Sequence, residues 1–224
     1  MFSIKNLLLL LLAVIIAVYL FAFDYVKSMY LNHVPSGLSS EFVEIPTGAS
    51  FEQVVDGLTK NGVIEDEANF RWLAEKMNYK KNKMRPGRFK VEPGWSYKQL
   101  IGHLRNGEQA PVKVVLTNER LLEDVAGKVS RFVETDSLSF LQYFLDKKRL
   151  DSLGLNENTL MTLIIPNTYE MYWTTTPAQF IARMKKERDA FWSKNDRLQK
   201  AKSLNMTPEA VYTLASIVER ETNN

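Results

Sequence analysis

The sequence predicts an α+β protein: a single N-terminal transmembrane helix, a small module of short strands and helices, and then a mostly helical region. Three observations carry this. One apolar run near the N-terminus is uninterrupted, one segment of the first half is repeated, and most of the second half shows helical apolar spacing. With 224 residues, 45% of them hydrophobic and 25% charged, the chain is long enough to bury a core in one large domain or two small ones.

The apolar run is Leu7 to Phe23 (LLLLLLAVIIAVYLFAF), between Lys5-Asn6 and Asp24. It rises roughly 25 Å as a helix, and Tyr25 and Val26 extend it toward the roughly 30 Å hydrocarbon core, so residues 7–26 read as the membrane span. No small-x-small site follows, which favours an uncleaved anchor over a signal peptide. The amine and Lys5 on one side and a long folded region on the other predict a short cytoplasmic tip, residues 1–6, with the bulk of the chain exported.

Residues 27–41 read as a spacer, helical until Pro35-Ser36-Gly37 breaks it. A repeat follows: IPTGASFEQVVDGL (Ile45 to Leu58) matches VEPGWSYKQLIGHL (Val91 to Leu104). Each copy predicts a strand, a Gly turn, a Ser N-cap and an amphipathic helix stopping at an Asn-Gly pair, Asn61-Gly62 and Asn106-Gly107. Between the copies, Asp66 to Tyr79 has helical spacing and Arg85 to Val91 reads as a strand. Residues 42–110 therefore resemble a LysM-like module, and that resemblance implies recognition of N-acetylglucosamine polymers; a packing or spacer module is the alternative. Lys76, Lys80, Lys81, Lys83, Arg85, Arg88 and Lys90 form a basic run, read as a solvated face or as an attractor of anionic polymer.

From residue 111 the pattern changes. Pro111 to Thr117 reads as a strand, Arg120 to Phe132 and Ser137 to Lys147 as helices, and LIIPNTYEMYW (Leu163 to Trp173) as a strand-like, aromatic run. One long helix is predicted from Pro177 to about Leu204. Thr207-Pro208-Glu209 then opens the last helix, with Thr207 as N-cap and proline at the first helical position.

Several functions are excluded or disfavoured. A net charge of +3 does not argue for nucleic acid, and the absence of cysteine removes disulfides and thiolate metal sites. With only His33 and His103, no metal, cofactor or Ser-His-Asp triad is expected, and His103 reads as a surface or satisfied side chain. What remains is LASIVERETNN at the C-terminus. Val211, Leu214, Ala215 and Val218 share one helical face, predicted to be buried, and continuing that line reaches Glu221. Glu219 lies about 200° away and reads, with Arg220, as a solvated pair. A carboxylate that extends an apolar stripe has its ionised form disfavoured, which suits a general acid. Fraying of Glu221 into water is the bland alternative.

The anchor, the LysM-like module, IIPNTYEMYW and LASIVERET, in this order, resemble the YceG-like family, the endolytic murein transglycosylases. The most specific element is Ala215 to Thr222. The resemblance implies that the second glutamate of this motif, Glu221, is catalytic. It also implies a membrane-anchored lyase of the bacterial inner membrane. Such an enzyme cleaves the MurNAc-GlcNAc bond within peptidoglycan strands and leaves a 1,6-anhydro end, an activity suited to terminating nascent strands beside cell-wall synthases. Asn167, Tyr169, Tyr172 and Trp173 are the candidate sugar contacts, with aromatic core packing as the alternative for the rings. The family usually reads Pro-Asp-Thr-Tyr where this chain has Pro166-Asn167-Thr168-Tyr169, so a charge is lost there. Family members also continue through further Asn-Arg-Leu and Asp-Pro-Thr segments, so residues 111–224 are expected to be the N-terminal part of a truncated transglycosylase domain. The competing function is a non-catalytic, membrane-anchored wall-binding or scaffold protein.

Overall fold

The computed structural model describes residues 4–30 and 34–222; His33 lies outside the described residues. Helix α1 (Ile4–Tyr30) precedes β1 (Phe42–Ile45), α2 (Phe51–Lys60), α3 (Glu67–Lys76), β2 (Gly87–Lys90) and α4 (Tyr97–Asn106). These belong to one compact unit ending at Ala110. A second unit starts at Pro111 and holds β3 (Val112–Leu116), α5 (Leu122–Val129), α6 (Ser137–Phe144) and α7 (Lys147–Leu153). It continues through a 3-10 turn (Leu160–Leu163), β4 (Asn167–Met171), α8 (Pro177–Ser193), α9 (Arg197–Ser203) and α10 (Pro208–Thr222). The architecture is mixed α+β and mostly helical, with two small antiparallel sheets, β1-β2 and β3-β4.

The repeat has a shared local geometry. Gly48 and Gly94 both sit at φ 82°, a left-handed conformation that glycine adopts without a Cβ penalty. Ser50 and Ser96 each accept from the backbone N–H three residues on, at 3.3 Å. Gln53 and Gln99 each reach back to the cap N–H at 2.9 Å, completing two capping boxes. The helix ends differ. Gly62 is left-handed at φ 68°, whereas Gly107 is not, and its glycine is required by space: a Cβ there would lie 2.2 Å from His103 Nδ1.

In the first unit Val43, Ile45, Val54, Val55, Leu58, Phe70, Leu73, Phe89, Leu100 and Ile101 form the buried cluster. Part of the predicted spacer is built into it. Val34 is buried, its N–H donates to the Trp95 carbonyl at 2.9 Å, and its carbonyl accepts from Gly94 at 2.8 Å. In the basic run Lys76, Lys80, Lys81, Lys83 and Lys90 are exposed, whereas Arg85 and Arg88 are half-buried. Arg85 donates to the Gly107 carbonyl at 2.6 Å, Arg88 pairs with Glu44 at 3.7 Å, and Lys80 lies over the Phe51 ring. His103, expected to be a surface or satisfied side chain, is half-buried: Phe89 and Trp95 flank its ring, and its Nε2 is buried without a hydrogen-bond partner.

The predicted transmembrane helix is not supported. Helix α1 forms over 27 residues, and its apolar side chains from Leu8 to Phe23 are exposed. Among the described residues no helix is long and apolar enough to cross a membrane.

In the second unit the long helix predicted from Pro177 is two. Asn195 and Asp196 adopt φ 57° and 56°, and this left-handed pair ends α8 and redirects the chain into α9. The helix predicted to Lys147 likewise stops at Phe144, and Asp146 caps a separate α7 by accepting from Arg149 at 3.1 Å. Strand β4 pairs with β3 from Val112 opposite Met171 to Leu116 opposite Asn167. Phe140, Phe144 and Phe180 interlock in the same buried cluster as Val114 and Tyr169 of the ladder, with ring centroids 5.7 to 5.9 Å apart.

Candidate functional site

Helix α10 starts as predicted, with Thr207 Oγ1 accepting from the Ala210 N–H at 3.2 Å. Its apolar face, expected to be buried, is not. Leu214 is 50% exposed, and Ile217 and Val218 are each 52% exposed. Periodicity correctly puts these side chains on one face, but burial needs an opposing surface, and none of the described residues supplies it. Glu221 is exposed in the last turn of this helix.

Glu219 behaves otherwise than predicted. It is half-buried, and Asn118 Nδ2 donates to its Oε1. Asn118 belongs to the connection between β3 and α5, so this bond ties the end of α10 to residues a hundred positions earlier in the chain. A second tie lies two turns back: the Tyr212 hydroxyl donates to the Ile164 carbonyl at 3.1 Å. Near its base, α10 is also held by Arg188 of α8, whose guanidinium pairs with Glu209.

The β3–α5 connection has its own organisation. Asp124 Oδ2 accepts from the Leu121 and Arg120 N–H groups, at 3.1 and 3.3 Å, and so fixes the entry to α5 in place of an N-cap side chain. Glu119 accepts from Lys128 Nζ and, at 3.2 Å, from Thr117 Oγ1, both through Oε1. Its side chain is only 7% exposed, and its Oε2 is buried without a partner. Burial, followed by the negative charges of Glu119 and Glu219, pushes the Tyr212 phenol above its ordinary value. Residues Asn118, Glu119, Tyr212 and Glu219 thus form one polar cluster on the flank of α10. None of Asn118, Glu119 or Tyr212 stood out in the sequence.

The aromatic segment divides. Tyr169 is 2% exposed and donates its hydroxyl to the Ile165 carbonyl, so its ring lies in the core and offers no face to a sugar. Burial pushes its phenol up to about 12. Trp173 is half-buried against the same core, and its carbonyl accepts from Glu134 at 2.8 Å. Tyr172 is 57% exposed, with a free ring surface. Asn167 is exposed at the start of β4, where its Oδ1 accepts from the Thr168 N–H at 2.8 Å. Among the described residues no group of three or more His, Cys, Asp or Glu side chains could hold a metal ion.

A two-stranded ladder and interlocked phenylalanines in one core, followed by a helix with Glu219 and Glu221 in its last turns, define an α+β chain. The chain belongs to the YceG-like family, whose model matches residues 43–224. No curated protein matches it. Among solved structures it is similar to a YceG-like protein of Listeria monocytogenes. That likeness has 22% identity and a TM-score of 0.38, over 72% of this chain and 58% of the Listeria chain. The present chain therefore spans less than two thirds of that protein's length.

Proposed function

We propose that this chain carries the acid of an endolytic peptidoglycan lytic transglycosylase, with Glu221 as the proton donor. The observation that carries the reading is the Ala215 to Thr222 stretch on the last turns of α10, in a chain of the YceG-like family, with the Glu221 carboxyl exposed where a polymer can reach it. Hydrolytic glycosidases use two carboxylates across the bond, whereas transglycosylation needs one. Glu221 gives its proton to the glycosidic oxygen between MurNAc and GlcNAc as the C1–O bond breaks. The resulting carboxylate takes the proton of the muramic acid 6-hydroxyl, whose oxygen bonds to C1. The products are a new GlcNAc 4-hydroxyl and a 1,6-anhydro end, Glu221 is again protonated, and no water is consumed.

The same reading places the chain at the bacterial inner membrane, its bulk on the extracytoplasmic side, acting on glycan strands beside cell-wall synthases. The exposed apolar side chains of α1, Leu8 to Phe23, support attachment to the membrane. The β1-α2-α3-β2 order of the first unit supports the LysM-like reading, and with it glycan binding. Tyr172 and Asn167 are the sugar contacts that exposure favours.

The test is Glu221→Gln, which keeps the shape and removes the titrating proton. It is measured in this chain extended to the length of its family relatives and supplied with purified glycan strands. Mass spectrometry should find anhydro ends reduced at least about a hundredfold, the lower end of general-acid contributions. Undiminished anhydro product, or hydrated reducing ends in its place, refutes the reading.

A further inference from the structure

We infer that Glu119 is a second saccharide-binding carboxylate of this site, accepting through its free Oε2 a hydrogen bond from a sugar hydroxyl or an N-acetyl amide N–H. This rests on the reading of the α10 end as a saccharide site. Three features lead to it.

The first is the unpartnered oxygen. Both donors that reach Glu119, Lys128 and Thr117, bond to Oε1, while Oε2 is shut off from solvent and has no donor. A buried charged acceptor left without a partner carries a desolvation penalty that a bound donor removes.

The second is position. Thr117 and Asn118, which precede Glu119, are exposed, so the carboxylate lies one side chain below the surface. It is beside the face of α10 that carries Tyr212 and Glu219, the latter held by Asn118.

The third is the chemistry of the surroundings. Acceptors dominate: Glu119 Oε2, the Glu219 carboxylate and the Tyr212 oxygen. That arrangement suits a ligand rich in hydroxyl and amide donors. It does not suit a bare cation, because Lys128 already places a positive charge on Glu119, and among the described residues no three metal-ligating side chains converge.

Lys128 also makes the test sharp. In Glu119→Gln the amide oxygen must face the Lys128 ammonium, which turns the NH2 group, a donor, into the place where Oε2 accepted. The full chain in detergent micelles is titrated with chitotetraose, and binding is followed through the backbone amide shifts of Tyr212 and Glu219, which report this site rather than the first unit. Glu119→Gln should weaken binding at least about tenfold, the low end for a hydrogen bond to a charged group. Glu123→Gln, at an exposed position on α5, should leave it unchanged. Equal affinity in Glu119→Gln overturns the inference. If that variant does not fold, the Glu119 carboxyl 13C shift in the unaltered chain decides: movement with saccharide supports the inference, and a static signal overturns it. Unmoved Tyr212 and Glu219 amides in the unaltered chain overturn both this inference and the saccharide site it rests on. If Glu221→Gln leaves anhydro product unchanged while Glu119→Gln weakens binding, only the assignment of the proton donor fails.

Discussion

Tyr169→Phe removes one oxygen from the core face of β4, and its effect separates a packing residue from a sugar platform. The hydroxyl donates to the Ile165 carbonyl, and Ile165 is half-buried, so the abandoned carbonyl regains part of its hydration. The cost should therefore lie near 1 kcal/mol, at the low end of the roughly 1–3 kcal/mol for a buried group left unsatisfied. Tyr169→Ala also deletes a ring that is 2% exposed and lies opposite Val114 on β3, which raises the cost to about 3–5 kcal/mol. Against a typical stability of about 5–15 kcal/mol, that is roughly a fifth or more of the total. Tyr172→Ala, at a ring 57% exposed, should stay within about 0.5 kcal/mol and instead weaken saccharide binding. Urea unfolding measures all three, with Trp72 and Trp95 changed to Phe so that Trp173 and Trp192 of the second unit report. A Tyr169→Phe variant with an unshifted midpoint and lost saccharide binding would refute the core assignment.

The raised phenol of Tyr169 also has a pH consequence. Its unfolded value is near 10.0 and its folded value near 12, so its contribution to stability is complete below about pH 10 and is lost as pH rises toward 12. Tyr79, raised by burial, adds to the same alkaline loss, and changing both to Phe should flatten the stability curve in that window. Glu219→Ala should raise hydrogen exchange in the last turn of α10 about fivefold, the equivalent of about 1 kcal/mol for a lost bond, whereas Glu219→Gln, which keeps an acceptor for Asn118, should change it less than about twofold. Ser50→Ala and Ser96→Ala should each cost about 0.5–2 kcal/mol in thermal unfolding of the first unit, because each removes half of a capping box.

The repeat was legible because its information is local. Gly48, Ser50 and Gln53, and their counterparts Gly94, Ser96 and Gln99, act within six residues of one another, and the structure builds the turn and cap that their spacing implies. The break between α8 and α9 was also local but was missed. Asn195 and Asp196 tolerate left-handed backbone, yet they sit in a polar stretch where apolar periodicity gives no warning. The face of α10 failed for a different reason. Spacing states which side chains share a face, and Leu214 and Val218 do, but what covers them is a tertiary matter. Asn118 and Glu119 were invisible for the same cause. A single Asn-Glu pair after a strand is unremarkable until a helix a hundred residues later comes to rest beside it.

The β3-β4 ladder has only two strands, so each has one side whose backbone N–H and C=O groups have no strand neighbour among the described residues. Such rims are templates for another chain, and Val115, 44% exposed, adds an adhesive spot on the outer face. Charge guards that face: Lys113 and Glu170 stand opposite each other across the ladder, 3.9 Å apart and exposed. A sister molecule adding itself in register would have to bring further side chains against this pair. Concentrated salt weakens that guard by screening, and so favours filament growth along the ladder just where a crystallographer or a formulation chemist would raise ionic strength to keep the protein in solution.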